Sequence, residues 1–223
     1  NFLTMSDAQK MIVAAGKGDM EAVLQLVADS NVDPNARGES IYHGEGWTAL
    51  HAAAQEGHTD VVVALLGSKA EVQLQSNCGM TPLMLASAGG HTKTVEALVK
   101  QGHADPKFAR KDGWVALMAA ATNGHCDTVV ALVECGADPN AADMDEGWTV
   151  LNCAAAGGHS ETVVALVNKC GADLHKASFD GTTPIKAAIM EKKKEAAGAL
   201  VRECGAVLTY EQGVWLYEDL LGF

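Results

Sequence analysis

Apolar residues in this chain come in short runs of helical period, punctuated by glycine. The run Thr128-Val129-Val130-Ala131-Leu132-Val133 has apolar residues at helical spacing and ends in Cys135-Gly136-Ala137-Asp138-Pro139-Asn140. Glycine accepts the left-handed conformation that closes a helix, and Asp-Pro-Asn cannot continue one. Ahead of such runs lie alanine-rich blocks that open at Thr48, Thr81 and Thr149, with Val115 as a fourth counterpart. A threonine hydroxyl at that point can accept from the free amides of a first helical turn. The pattern predicts pairs of short helices, a small-residue helix and then an amphipathic one. The two are joined at Gly57-His58, Gly90-His91, Gly124-His125 and Gly158-His159.

The punctuation is periodic. Gly46, Gly79, Gly113, Gly147 and Gly181 are separated by 33, 34, 34 and 34 residues, and a constant period of this size marks a repeat array. With Gly-x-Thr-Pro-Leu-His, Gly-His and Gly-Ala-Asp-x-Asn met in most units, the sequence resembles the ankyrin repeat family over about residues 6 to 206. The resemblance implies an all-α repeat solenoid of helix-turn-helix pairs, with β-hairpin fingers along one edge and a concave binding face. It implies a module that binds proteins and has no catalytic machinery.

On this reading residues 1–206 form the ankyrin repeat domain. Residues 6–38 are an N-terminal cap repeat, in which Ser6 and Gln9 have capping-box spacing before Met11-Ile12-Val13. Residues 39–180 are four full repeats, and 181–206 are a C-terminal cap repeat in which Lys192 to Lys194 replace apolar outer-helix positions. Residues 207–223 are a C-terminal extension read as a short helix. Its Trp215, Leu216, Leu220 and Leu221 are expected to cover the last repeat, a docking motif being the alternative.

The residue after each repeated glycine reads Trp47, Met80, Trp114, Trp148, Thr182. The resemblance places this column near the finger tips, where aromatics make binding anchors, Trp114 and Trp148 foremost. Tryptophan is also a family default there, and a residue can be both. Gly18 and Gly57 are 39 residues apart, with the surplus mainly in Asn35 to Gly46. The first finger is therefore longer, and Ile41 and Tyr42 are expected to make contacts from it. Acidic Asp112, Asp145 and Glu146 flank the column and would steer a basic partner, although Asp143, Asp145 and Glu146 also read as a solvated surface run. Groove positions are small at Ala88-Gly89, Thr122-Asn123 and Ala156-Gly157, and larger only at Gln55-Glu56. Lys69 stands where a helix-closing glycine is expected. The resemblance also makes Asn140, spaced from Leu132 and Asp138, a candidate for asparaginyl hydroxylation.

Composition narrows the function classes. The 223 residues are 48% hydrophobic with net charge −12, which disfavours nucleic acid. The one basic run, Lys192 to Lys194, is flanked by Glu191 and Glu195. No apolar run approaches the roughly 20 residues of a membrane span, and Asn1 to Lys10 lacks the features of a signal peptide. Cys135, Cys170 and Cys204 recur at repeat spacing, so each pair stands about 10 Å apart, too far for a disulfide. Reduced thiols suit an intracellular, cytoplasmic protein, with the nucleus as an alternative. The same spacing keeps His58, His91, His125 and His159 from sharing a metal ion, and the resemblance gives them a structural role in the inter-helix loop. No nucleophile elbow or phosphate loop is present. The chain is read as a monomeric scaffold, adaptor or inhibitor, not an enzyme and without cofactor, whose partner is another protein presenting a basic or amphipathic segment. The alternative is the regulatory ankyrin region of a larger enzyme or channel.

Overall fold

The computed structural model describes residues 5–29, 32–40 and 44–207. Ile41, Tyr42 and the expected helix of the C-terminal extension lie outside them. The described residues form six helix pairs. They are α1 (Asp7–Gly16) with α2 (Met20–Ala28), α3 (Ala49–Glu56) with α4 (Thr59–Gly67), and α5 (Pro82–Ala88) with α6 (Thr92–Lys100). The series continues with α7 (Ala116–Thr122) and α8 (Cys126–Glu134), α9 (Val150–Gly157) and α10 (Ser160–Asn168), and α11 (Pro184–Met190) and α12 (Lys194–Arg202). Each odd-numbered inner helix packs on the next inner helix, and each even-numbered outer helix on the next outer one. The result is a two-layer solenoid.

The core runs between the layers. Leu50, Leu83, Leu117 and Leu151 from inner helices and Leu65, Leu98, Leu132, Leu166 and Leu200 from outer helices are almost fully buried. Each such side chain contributes about 1.5–3 kcal/mol relative to exposure. The inner helices start as the threonine pattern predicts. Thr48, Thr81, Thr149 and Thr183 accept from the amides of His51, Met84, Asn152 and Lys186. Val115, at the same place before α7, has no side chain to do so.

Gly-His pairs lock one repeat to the next. Nε2 of His58, His91, His125 and His159 lies 3.2, 2.8, 2.9 and 2.8 Å from the carbonyl oxygens of Gly16, Gln55, Ala88 and Thr122. Each ring therefore satisfies a carbonyl left open near the end of the preceding inner helix. Gly90 has φ 70°, and a Cβ there would come within 2.6 Å of His125 Nδ1, so the turn and the ring both require glycine.

Two details correct the sequence reading. Lys192, with φ 56°, takes the glycine place of this turn, and Lys193 takes the histidine place as N-cap of α12. Only Lys194 belongs to an outer helix, because Glu191, Lys192 and Lys193 make the turn from α11 into α12. The buried face of α12 is supplied instead by Ala196, Ala197, Ala199 and Leu200. At the helix-closing column, Lys69 (φ 65°) keeps the left-handed geometry of Gly136, Gly171 and Gly205, and so does His103 (φ 57°). His103, next to Gly102, is a second non-glycine residue in this column.

Fingers project between successive pairs. Among the described residues only the first has two strands, β1 (Gly38–Ser40) antiparallel to β2 (Gly44–Trp47), with an irregularity between Gly38 and Glu39. The third and fourth each have a single bridge, Ala109 to Val115 and Ala142 to Thr149. The longer first finger has room for the ladder that the shorter ones lack.

Candidate functional site

The later fingers are tight turns whose first residue receives the returning backbone. In the last finger the Thr182 amide donates to Ser178 Oγ at 3.2 Å, and the Gly181 amide to the Ser178 carbonyl at 2.9 Å. Bonds from the Ser178 and Thr182 hydroxyls, then the Thr182 amide, hold the Asp180 carboxyl below the usual carboxylate range. In the fourth finger Asp143 Oδ1 accepts from the amides of Glu146 (2.9 Å) and Trp148 (3.1 Å). In the third, Asp112 pairs with Arg110 at 2.7 Å and accepts from the Trp114 amide at 3.1 Å.

Backbone bonds stitch these fingers together. The Met144 amide donates to the Asp112 carbonyl, and the Phe179 amide to the Glu146 carbonyl, each at 2.8 Å. The side chains of Met144 and Phe179 lie over Gly113 and Gly147 of the preceding fingers, where a Cβ would collide with them. Yet Met144 is 71% and Phe179 75% exposed. Two large apolar side chains are thus held toward water on a backbone fixed by hydrogen bonds. Asp145, Glu146 and Asp180 beside them are exposed, and no ion pair among the described residues engages these three.

The tryptophan column is not at the tips. Trp47 is 2% exposed and packs with its ring centroid 5.8 Å from that of His51. Met80, Trp114 and Trp148 are half-buried against the core. Each of these residues directly precedes an inner-helix N-cap, the position whose apolar side chain folds back on the first turn. That rule, applied to Trp47-Thr48, was the signal for burial. The tips lie earlier in each turn, at Asn77, Lys111, Met144 and Phe179. An apolar residue in an otherwise polar turn was the sign that would have found the last two.

Asn140 is part of the framework: its Oδ1 accepts from the Asp173 amide at 2.7 Å and its Nδ2 donates to the Gly171 carbonyl at 3.4 Å. Asn35 makes the same pair of bonds to Glu71 and Lys69. At the groove, Gly89, Thr122 and Asn123 are exposed, with Ala88, Ala156 and Gly157 half-buried. The small-residue character does not extend to the last repeat, where Met190, 60% exposed, stands at the place of Ala156.

Burial shifts one histidine and five thiols. It lowers His51 to about 4 and pushes the Cys153 thiol up to about 12. The thiols of Cys126, Cys135, Cys170 and Cys204 are raised for the same first cause. Among the described residues no three His, Cys, Asp or Glu side chains gather as a metal would require. No described helix is long and apolar enough to cross a membrane.

Comparison with known proteins agrees with the helix pairs. A family model for ankyrin repeats, in three copies, matches residues 11–73, 63–143 and 140–211. The tyrosine-protein kinase HTK16 of Hydra vulgaris is 30% identical over 107 residues, 48% of this chain and 14% of that protein. Protein fem-1 homolog A of Homo sapiens is 38% identical over 77 residues, 30% of this chain and 11% of that protein. The ankyrin repeat-containing protein P1E11.10 of Schizosaccharomyces pombe is 30% identical over 103 residues, 46% of this chain and 45% of that protein. The chain thus spans less than half the length of each of these relatives. With model matches running across most of its length onto the helix pairs described above, the chain belongs to the ankyrin repeat family.

Proposed function

We propose that this chain is a monomeric protein-interaction module, a scaffold, adaptor or inhibitor, that engages a partner through its later fingers and the groove beside them. Ankyrin repeats in general are modules of this kind. The observation that carries the reading is the exposure of Met144 and Phe179 on a hydrogen-bonded backbone beside Asp145, Glu146 and Asp180. Rigidly held apolar side chains lose little entropy on binding, and exposed carboxylates in no ion pair among the described residues favour a basic partner. Trp114 and Trp148, half-buried at the finger bases, support the tips rather than act as the principal anchors. Binding rather than catalysis, and an intracellular location with reduced thiols, complete the proposal. Asn140 stays a candidate for hydroxylation, to be read as an added oxygen by mass spectrometry after co-expression with an asparaginyl hydroxylase.

Affinity capture with the intact chain tests the reading. Binding of the captured protein should be lost in the Met144→Ser, Phe179→Ser double variant and survive Glu96→Ala and Glu161→Ala on the outer helices. The opposite pattern would move the recognition face to the convex side. A second reading, the regulatory region of a larger enzyme or channel, is favoured by the small share of HTK16 and fem-1 homolog A that the chain covers. The full gene sequence distinguishes the two.

A further inference from the structure

We infer that the fourth and fifth fingers receive a basic amphipathic α-helix whose apolar residues recur seven apart, an inference that rests on the protein-binding reading above. Met144 and Phe179 occupy the same turn in neighbouring fingers, and their backbones are bonded to the finger before each. Neighbouring repeats are separated by the helix-packing distance, about 10 Å, and that spacing sets what a ligand must present.

A helix rises about 1.5 Å per residue, so residues seven apart stand about 10.5 Å apart on nearly the same face. In a strand, same-face residues are about 6.7 or 13 Å apart, and neither value fits two knobs one repeat apart. A polyproline II segment repeats a face every three residues, about 9.3 Å. Such ligands, however, are read by aromatic-lined grooves that accept their ridges, whereas Met144 and Phe179 protrude. A protruding pair needs a receiving surface, and the apolar stripe of a helix supplies one.

Charge sets the rest of the ligand. Asp145 and Glu146 lie in the turn that Met144 begins, and Asp180 follows Phe179. All three are exposed. In the third finger Arg110 is already paired with Asp112. A helix on the two tips therefore meets carboxylates along its flanks, where lysine or arginine is favoured and acidic residues are repelled.

The test is selection of a displayed library of random peptides, each about 16 residues or roughly 24 Å as a helix, against the intact chain. Enriched peptides should have apolar residues seven apart with Lys or Arg between them. Synthesised, they should gain helical circular dichroism on binding and weaken at least about tenfold with Phe179→Ser or Met144→Ser. Enriched peptides with alternating or Pro-rich patterns that still depend on the two fingertips would overturn the helix and leave the protein-binding reading standing. No enrichment would also overturn it, with capture of a folded partner through the same tips then preserving the broader reading. Peptides insensitive to both substitutions but lost on Val130→Glu in α8 would overturn both.

Discussion

His51 Nε2 lies 3.1 Å from the carbonyl oxygen of Met80, the last residue before the next inner-helix cap. For that contact to be a hydrogen bond the imidazole must hold its proton on Nε2. Its Nδ1 is then free to accept from the Thr48 amide at 3.2 Å. Asn152 takes the same place in the next-to-last helix pair of the described fold. Its Nδ2 donates to the Thr182 carbonyl at 3.0 Å while its Oδ1 accepts from the Thr149 hydroxyl at 2.9 Å. A neutral histidine and an asparagine each offer a donor to the next repeat and an acceptor to the preceding threonine, and a charged histidine has no acceptor.

Stability should therefore depend on pH through His51. Burial lowers its folded value from 6.5 to about 4, so between these limits the unfolded chain binds the extra proton. The contribution is present above pH 6.5, falls as pH drops toward 4, and amounts to about 3 kcal/mol at the limit. Urea unfolding at stepped pH should show this slope in the parent and lose that part of it in His51→Asn. Equal slopes in the two proteins would refute the assignment.

Val115→Thr should stabilise the chain. The backbone at Val115 (φ −115°, ψ 164°) matches that at Thr48 (φ −108°, ψ 167°), and only the side-chain acceptor is missing. Supplying it should add about 1 kcal/mol, read as a higher urea midpoint at unchanged slope.

Replacing the strained closers should act in the same direction. Lys69→Gly and His103→Gly remove a Cβ from left-handed backbone, each worth about 1 kcal/mol. Because the sites lie one repeat apart, the double variant should show close to the sum in its melting curve.

The two kinds of finger aromatic should separate cleanly in equilibrium unfolding. Trp47→Ala empties a buried site and should cost about 3–5 kcal/mol. Phe179→Ser alters a side chain that is 75% exposed and should stay within about 0.5 kcal/mol, so that any loss of binding it causes is a contact effect.

Asn140→Ala should cost about 0.5–1.5 kcal/mol, the net value of a hydrogen bond whose amide, that of Asp173 at 2.7 Å, water can reach once the acceptor is gone. Asn35→Ala, which strips the Glu71 amide of the same bond, should cost a similar amount by calorimetry.

The repeat, the helix pairs and their junctions are legible in the residues themselves. Each depends on local chemistry, namely glycine at left-handed positions, threonine before a helix and apolar residues at helical spacing, and all of these recur every 33 or 34 residues. The one-repeat spacing of His58, His91, His125 and His159 is legible there too. How each finger side chain is held, and how much of it meets water, comes from the packing of one repeat on the next. Trp47 and Phe179 are both aromatic and both sit in fingers, yet one precedes a cap and turns onto His51 while the other lies over Gly147 with most of its surface free. Local signals point the right way at both places, but how Phe179 is held depends on where the neighbouring repeat puts the Gly147 backbone and the Glu146 carbonyl, a relation between residues some 30 positions apart.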